Sequence, residues 1–294
     1  KKCEADLYIA HNLGALPAAV NAAKTNKKPC GFDAEDFHRF EISDDKNDAD
    51  VLLKTWLENR YIPQINYLTA SSPLIAKAYN DLFVDKEPIV ILNVFPRDSN
   101  IAQPTINNNG PVRLFWFSQT IGEGRGIENI INALLLLEEH SFELHMLGEP
   151  AENAMLFFDK LIINKPEIIH FHKPIPPDEI VAFASQFDIG LASETKTPLN
   201  RDICLTNKIF TYLQAGLAIL ASDTTAQTEF VEQYPAIGKI YRGTDVLSLA
   251  NTLTYYSQNR NRLFETREAS LKLAQDRLNW ETESRKFLSI IKNI

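Results

Sequence analysis

Short β-branched or apolar runs alternate with amphipathic helical stretches along this chain of 294 residues, and the rhythm occurs twice. A parallel sheet requires that alternation, because each pair of parallel strands must be joined by a crossover and a helix is the usual one. The first series predicts strands near 6–10, 29–32, 66–70 and 89–93, with helices near 16–23, 48–60 and 73–82. From Pro96 to Pro111 the pattern lapses into Asp, Ser, Asn, Gln, Pro and Gly, which reads as an interdomain linker. The second series predicts strands near 112–118, 142–148, 168–171, 187–192, 217–222 and 238–241. Helices near 127–137, 177–185, 207–215 and 226–234 separate them, followed by 245–259 and a long charged pair to Ile294. The fold class is therefore α/β with two parallel-sheet, Rossmann-like domains.

Composition narrows the function classes. At 45% hydrophobic and 23% charged residues the chain has enough apolar surface for two ordinary cores. A net charge of -8 argues against a broad nucleic-acid footprint, so no nucleic-acid partner is expected. Cys3, Cys30 and Cys204 are odd in number and lack CxxC spacing, which suggests neither a disulfide framework nor a zinc site and fits a reducing cytoplasm. No apolar run approaches the roughly 20 residues of a membrane span.

Two segments carry chemistry. In TNKIFTYLQAGLAILAS, Thr206 can cap a helix whose first turn holds Asn207 and Lys208, and Gly216 ends it before a buried strand. A lysine in a first turn opposes the helix dipole, and an anion such as a phosphate bound there accounts for it. A solvated surface lysine is the plainer alternative. The strand LFWFS leads through QTIGEG to Arg125 and Gly126 and then to IENIINALLLL. Gly122, Gly124 and Gly126 permit close backbone approach, and Arg125 brings a fixed charge to the loop, although a tight turn with positive φ explains the glycines equally well. The spacing matches neither GxGxxG nor GxxxxGK[ST]. Arg125 and Lys208 both follow carboxyl-side strand ends of one predicted sheet, the edge where ligands bind, and two such cations could clamp a diphosphate.

In order and spacing these segments resemble the retaining glycosyltransferases of the GT-B fold, group 1, also called glycosyltransferase family 4. The N-terminal half contributes ADLYIAHNLGALPAAV, PCGFDAEDFH, LTASSPLIAKAY and IVILNVFP. The C-terminal half contributes VRLFWFSQTIGEGRGIENIINAL, LHMLGEP, FDIGLASET, TNKIFTYLQAGLAILASD and LNWETESRKFLSII. The resemblance implies an N-terminal acceptor-side domain over 1–96, a linker over 97–111, and a C-terminal nucleotide-sugar-binding domain over 112–277. A terminal helix over 278–294 would cross back to the first domain. Members have a first strand and glycine loop that find no counterpart before Asp6, so the N-terminal domain is expected to lack its first part; the resemblance implies an enzyme of hexosyltransferase type, whose truncated piece could be inactive even where the parent is active.

Members move a sugar from a nucleotide diphosphate donor, with retention, to an acceptor that approaches from the N-terminal domain. The resemblance implies a nucleotide sugar, UDP- or GDP-linked, as substrate and no cofactor or metal. It implies a glycan or lipid-linked acceptor in bacterial surface polysaccharide synthesis. The expected location is the cytoplasm, with peripheral contact at the inner membrane face through the part before Lys1. By this resemblance Arg125 neutralises the leaving diphosphate, and the backbone at Leu205 and Thr206 with Asn207 and Lys208 holds the phosphates from the other side. Backbone near Pro174 and Ile175 meets the base, while Gly148 leaves room for the nucleotide and Gly122 and Gly124 line the loop. Asp33 stands where many members place a histidine that touches the transferred sugar, and with Glu35 and Asp36 it forms a carboxylate cluster suited to sugar hydroxyls or an acceptor amine. An Asx turn with solvated charge is the alternative. By the same resemblance His11 falls near the cleft floor in the acceptor-side domain, with a purely structural role as the alternative.

Two positions depart from the family. Its paired glutamates, with seven residues between them, are replaced by Ile203 and Thr211, and the arginine that precedes its loop lysine is replaced by Thr120. A non-catalytic nucleotide-sugar-binding protein, or a partner of a transferase, is therefore the second reading. His170 and His172 alternate on one predicted strand without a third ligand at useful spacing, and read as a strand face. Glu194 and Asp202 could imitate a glycosidase pair, which would leave the phosphate pattern unexplained. Trp56, Trp116 and Trp280 sit at positions that suit core packing.

Overall fold

A computed structural model describes residues 4–98, 100–106, 110–137, 141–152, 154–161 and 166–294. Cys3 and part of the predicted linker, 99 and 107–109, lie outside them. Along the chain the first elements are β1 (Tyr8–Ala10), α1 (Leu16–Asn26), β2 (Cys30–Ala34), α2 (Ala49–Tyr61), β3 (Tyr67–Ala70), α3 (Pro73–Leu82) and β4 (Ile89–Val90). Next come β5 (Val112–Ile121), α4 (Ile127–Leu135), β6 (Phe142–Pro150), α5 (Ala154–Leu161), β7 (Ile169–His172), α6 (Ile180–Ala184), β8 (Ile189–Ala192) and α7 (Leu199–Ile203). The chain continues with α8 (Asn207–Gln214), β9 (Ala218–Ser222), α9 (Thr225–Gln233), β10 (Gly238–Tyr241), α10 (Val246–Gln258), α11 (Arg260–Asp276) and α12 (Trp280–Lys292). The helices α5 and α7 have no counterpart in the predicted series.

The chain divides into two compact units, the first made of Lys1–Asn93, Lys196–Leu205 and Glu281–Ile294, the second of Val94–Thr195 and Thr206–Trp280. In the first, four parallel strands run in the order β1-β2-β3-β4. Ser72 caps α3, its Oγ accepting from the Ile75 N–H at 3.2 Å ahead of Pro73 in the first helical position. Phe32, Ile62, Leu68, Ile75 and Tyr79 fill the core. Asn200 on α7 is tied into this unit by accepting from the Phe37 N–H at 2.7 Å and donating to Asp36 at 2.8 Å, and the Ser72 hydroxyl also donates to the Ile203 carbonyl at 2.6 Å.

The loop after β2 is held by a buried ion pair. Glu58 on α2 is fully buried, and its carboxylate accepts from Arg39 Nε at 2.5 Å, the Arg39 N–H at 3.1 Å and the Tyr79 hydroxyl at 2.8 Å. Three donors leave little of that carboxylate unsatisfied, which is the condition for a buried charge to be tolerated.

The second unit carries six parallel strands in the order β10-β9-β8-β5-β6-β7. Chain order runs outward from β5 through β6 to β7, then returns to the other side of β5 with β8. The carboxyl edge between β5 and β8 is thus the topological switch point, where the following loops diverge and leave a crevice. One face packs Leu114, Trp116, Leu144, Met146, Ile189 and Leu191 against α4, α5 and α10. On the other face Phe115, Phe183, Phe187 and Tyr212 stack or meet edge to face. Asp188, almost fully buried, joins elements remote in sequence: it accepts from Arg267 Nη1 at 3.0 Å and from the Arg113 N–H at 2.9 Å.

Three expectations need correction. Thr206 is the residue before α8, but its hydroxyl accepts nothing from the first turn; Oγ1 is buried without a hydrogen-bond partner, and the Ile209 N–H is taken instead by the Thr206 carbonyl at 3.2 Å. Trp56 and Trp280 are 57% and 43% exposed, so only Trp116, at 1%, is a core residue. Asp33 lies inside β2, not in an Asx turn.

Replacing Glu58 by Gln should cost about 3 kcal/mol of stability, because an amide facing Arg39 leaves a buried guanidinium without its counter-charge. Urea unfolding followed by circular dichroism measures it, and a cost within experimental error of zero would mean that the pair is dispensable.

Candidate functional site

At the carboxyl edge of the second unit's sheet, over the ends of β5, β6 and β7, lies a cavity of about 380 Å³. Its walls come from the end of β5 (Phe117, Ser118, Gln119), the end of β6 (Leu147, Gly148), the loop after β7 (Pro174, Ile175, Pro177), α6 (Ile180, Val181), the start of α8 (Asn207, Thr211) and Phe95. Five sequence-predicted residues, Gly148, Pro174, Ile175, Asn207 and Thr211, are thereby brought together although they span more than one crossover.

Local geometry explains why the cavity opens there. The pairing of β5 with β6 slips between Phe117 and Thr120, so β5 bulges and turns Ser118 and Gln119 into the cavity. Gly148 faces that bulge with φ 154°, and a Cβ on it would come within 2.2 Å of the Ser118 carbonyl oxygen. No side chain fits at 148. Thr120 lies past the bulge, exposed and paired in register with Glu149, and does not line the cavity.

The glycine loop follows. Gly124 and Gly126 have φ of 73° and 77°, conformations that glycine adopts without strain, whereas Gly122 is not in that region. The Gly124 N–H donates to Glu128 at 2.6 Å, which closes the loop onto the first turn of α4. Arg125 reaches back so that Nη1 donates to the Ser118 hydroxyl at 3.0 Å, and Ser118 itself lines the cavity. The guanidinium therefore stands one hydroxyl away from the cavity wall, with further donors of its fork available to an anion.

Lys208 is engaged differently from the sequence reading. Its Nζ lies 2.6 Å from Glu194 Oε1, with both side chains largely buried, and 5.6 Å from the centre of the Trp116 ring. The same tryptophan donates from Nε1 to Ser193 at 3.0 Å, and the Ser193 hydroxyl donates to the Arg125 carbonyl at 2.9 Å. Lys208 and the Arg125 backbone are thus linked through Trp116 and Ser193, with Glu194 as the local counter-charge. What faces the cavity at the α8 start is Asn207, at a helix N-terminus whose dipole favours an anion. Thr211 donates from Oγ1 to the Asn207 carbonyl at 3.0 Å, so its hydroxyl is turned onto its own helix. Leu205 and Thr206 do not line the cavity, and Leu205 belongs to the first unit.

The residues predicted for the acceptor side gather within the first unit. His11 Nδ1 lies 2.8 Å from Asp33 Oδ2 and its Nε2 lies 3.2 Å from Glu35 Oε1. Asp33 also accepts from the Thr69 hydroxyl at 2.8 Å, and the Glu35 carbonyl accepts from the Ser71 hydroxyl. Burial raises the Glu35 carboxyl above its ordinary value of 4.5; His11 works against the shift and the Asp33 and Asp36 charges add to it. The cluster can grip a polyol or an amine, with the Glu35 proton held more tightly than in a free carboxyl group.

Some cavity residues lay outside the reach of sequence reasoning. Ser118 and Gln119 enter only because β5 bulges, and Phe95 because it packs with the second unit. Glu194, weighed as a glycosidase acid, is the partner of Lys208.

Comparison with solved structures decides the architecture. Anabaena HepE in complex with UDP superposes with a TM-score of 0.79 at 15% identity, over 98% of this chain and 79% of that one. A glycosyltransferase from Rickettsia africae matches with 0.76 at 15% identity over 98% and 76%, and sucrose-phosphate synthase from Thermosynechococcus elongatus with 0.74 at 12% over 98% and 73%. The fold is GT-B. No family model matches the chain, and no curated protein matches it in sequence. At this identity the likeness establishes the fold. The first unit is the smaller of the two, with four strands against six. No helix among the described residues is long and apolar enough to cross a membrane.

Because the folded state holds the Glu35 proton more tightly than the unfolded chain, this group's contribution to stability is full below pH 4.5 and is lost as pH rises through its raised folded value. Glu35→Gln should therefore lose less stability than the native chain between about pH 4 and pH 7, as read from thermal midpoints across that range. Parallel pH profiles for the two proteins would contradict the assignment of Glu35 as a perturbed acid.

Proposed function

We propose that this chain is a glycosyltransferase that takes a sugar from a UDP- or GDP-linked donor held in the cavity of the second unit. The observation that carries the reading is the convergence of Gly148, Pro174, Ile175, Asn207 and Thr211 on one cavity at the carboxyl edge of the larger sheet. Structures with the same fold support it, since HepE was crystallised with UDP and with UDP-glucose. The apolar flank made by Ile175, Ile180 and Val181 suits the flat face of a base, and the loop backbone at Pro174 and Ile175 offers polar groups to its edge.

Charge develops on the diphosphate as the glycosidic bond to it breaks. In this reading Arg125 and the first turn of α8 stabilise that charge from opposite sides, as fixed dipoles and donors that need no reorganisation during the step. Ser118 orients the guanidinium through the hydrogen bond described above. Transfer would go to a glycan or lipid-linked acceptor, with retention of anomeric configuration and with His11, Asp33 and Glu35 serving the acceptor or the transferred sugar. A role in bacterial surface polysaccharide synthesis, in the cytoplasm or at the inner membrane face, belongs to the same proposal, as does the absence of a catalytic metal or cofactor.

One observation favours a second reading, binding without transfer. The family positions that carry paired glutamates hold Ile203 and Thr211 here, and Lys208 is neutralised by Glu194. Two carboxylates and one free cation are thereby missing from the expected set.

Isothermal titration with UDP, GDP and their sugars should give one bound equivalent for one base and not the other. Arg125→Ala should weaken the diphosphate by about tenfold or more, the loss of one charge-assisted hydrogen bond, while affinity for the bare nucleoside is unchanged. Equal UDP or GDP affinity in the variant would show that the diphosphate is not at Arg125. If the donor binds, transfer of a labelled sugar to an acceptor panel separates the enzyme from the binding protein.

A further inference from the structure

Apart from the cavity, the second unit gathers three histidines on one sheet face. His145 on β6 and His170 on β7 are partners in register, and Glu143 lies two residues before His145, so all three project from the same side of the sheet. Ligand atoms of Glu143, His145 and His170 lie within 4.8 Å of one another. The sequence shows only His170 and His172 at strand spacing; the third histidine comes from the neighbouring strand.

The hydrogen bonding around these imidazoles is lopsided. His145 Nδ1 lies 3.0 Å from His172 Nε2, whereas Nε2 of His145 and Nε2 of His170 are buried with no hydrogen-bond partner. Glu143 Oε2 is 3.5 Å from His145 Nε2, near but not hydrogen-bonded. Buried ring nitrogens left without partners cost free energy unless something else satisfies them. With the Nδ1 proton of His145 donated to His172, the Nε2 lone pair is free, which is how a ligating histidine is oriented by a partner behind it.

We infer that Glu143, His145 and His170 form a binding site for a divalent transition metal, zinc(II) foremost, with His172 orienting His145. Two imidazoles and one carboxylate suit zinc better than magnesium or calcium, and three protein ligands leave a position for water. Ligand atoms around a tetrahedral zinc stand about 3.3 Å apart, so the His145 and His170 rings, now stacked at 4.5 Å between centroids, must splay toward the metal. His170 and Glu143 are partly exposed, which gives the ion a path from solvent. The nearest opposing charge is Arg113, in register with Glu143, whose Nε lies 3.6 Å from Asp188. Bound there, the ion would pin the edge strand β7 to β6 immediately before the loop that carries Pro174 and Ile175.

The test uses the full chain, stripped of metal and dialysed against zinc(II), with bound metal counted by mass spectrometry and the site read from the visible spectrum of the cobalt(II) form. One equivalent is expected, with a tetrahedral cobalt spectrum and a raised thermal midpoint that magnesium does not reproduce. His170→Gln, at a partly exposed position that should fold, is expected to weaken zinc by about 100-fold or more, and His172→Gln by about tenfold. His11→Ala, in the other histidine-carboxylate cluster, should leave the equivalent in place. Absence of a bound equivalent in the native chain, or an equivalent held as tightly after His170→Gln, would overturn the proposal.

Discussion

The ring of Tyr212 lies where a side chain at position 190 would have to be: a Cβ on Gly190 would stand 2.2 Å from its Cγ. That absent side chain lets α8 settle directly on β8, where the Tyr212 hydroxyl donates to the Leu191 carbonyl at 3.1 Å and Ile209 through Gln214 are buried. A helix held that closely cannot slide or roll, so its N-terminus is fixed at the carboxyl edge of the sheet. Asn207 and Thr211 then face the cavity, and Lys208 is delivered to Glu194 and the Trp116 ring. The phosphate end of the proposed site thus depends on packing between a glycine and a tyrosine that never touch a ligand.

A second constraint acts from the other side of the cavity. The β5 bulge exists against Gly148, and the two together set the position of Ser118, which in turn holds Arg125. Charge placement in this unit is consequently a product of backbone geometry. Where the pairing of β5 with β6 slips, polar groups enter the cavity. Asp188 supplies the corresponding anchor at the opposite end of β8, tying Arg113 and Arg267 to one buried carboxylate.

Much of this was legible in the residues themselves, and the remainder failed for definable reasons. The alternation of apolar runs and helices gave both sheets, because parallel strands buried on both faces read as continuous apolar segments. Gly148, Pro174, Ile175, Asn207 and Thr211 came from a family resemblance in order and spacing, and the cavity unites them. The pairing of Lys208 with Glu194 did not show, because it joins the first turn of α8 to the loop after β8 through space and not along a helix face. His145 was missed for the same reason: it meets His170 only through strand register. Trp56 looked like core by residue type, yet it sits on the outer face of α2 beside the exposed Leu52 and Leu53, a position that periodicity alone does not separate from the buried one.

The central claim is that a nucleoside diphosphate occupies the cavity formed at the bulge of β5, the ends of β6 and β7, and the start of α8. Hydrogen exchange read by mass spectrometry, with and without saturating UDP or GDP, locates such a ligand without a substitution that might disturb the fold. Slowed exchange should be confined to peptides covering 117–126, 147–149, 174–181 and 206–211. Protection elsewhere in the chain, or none with either nucleotide, would contradict the account.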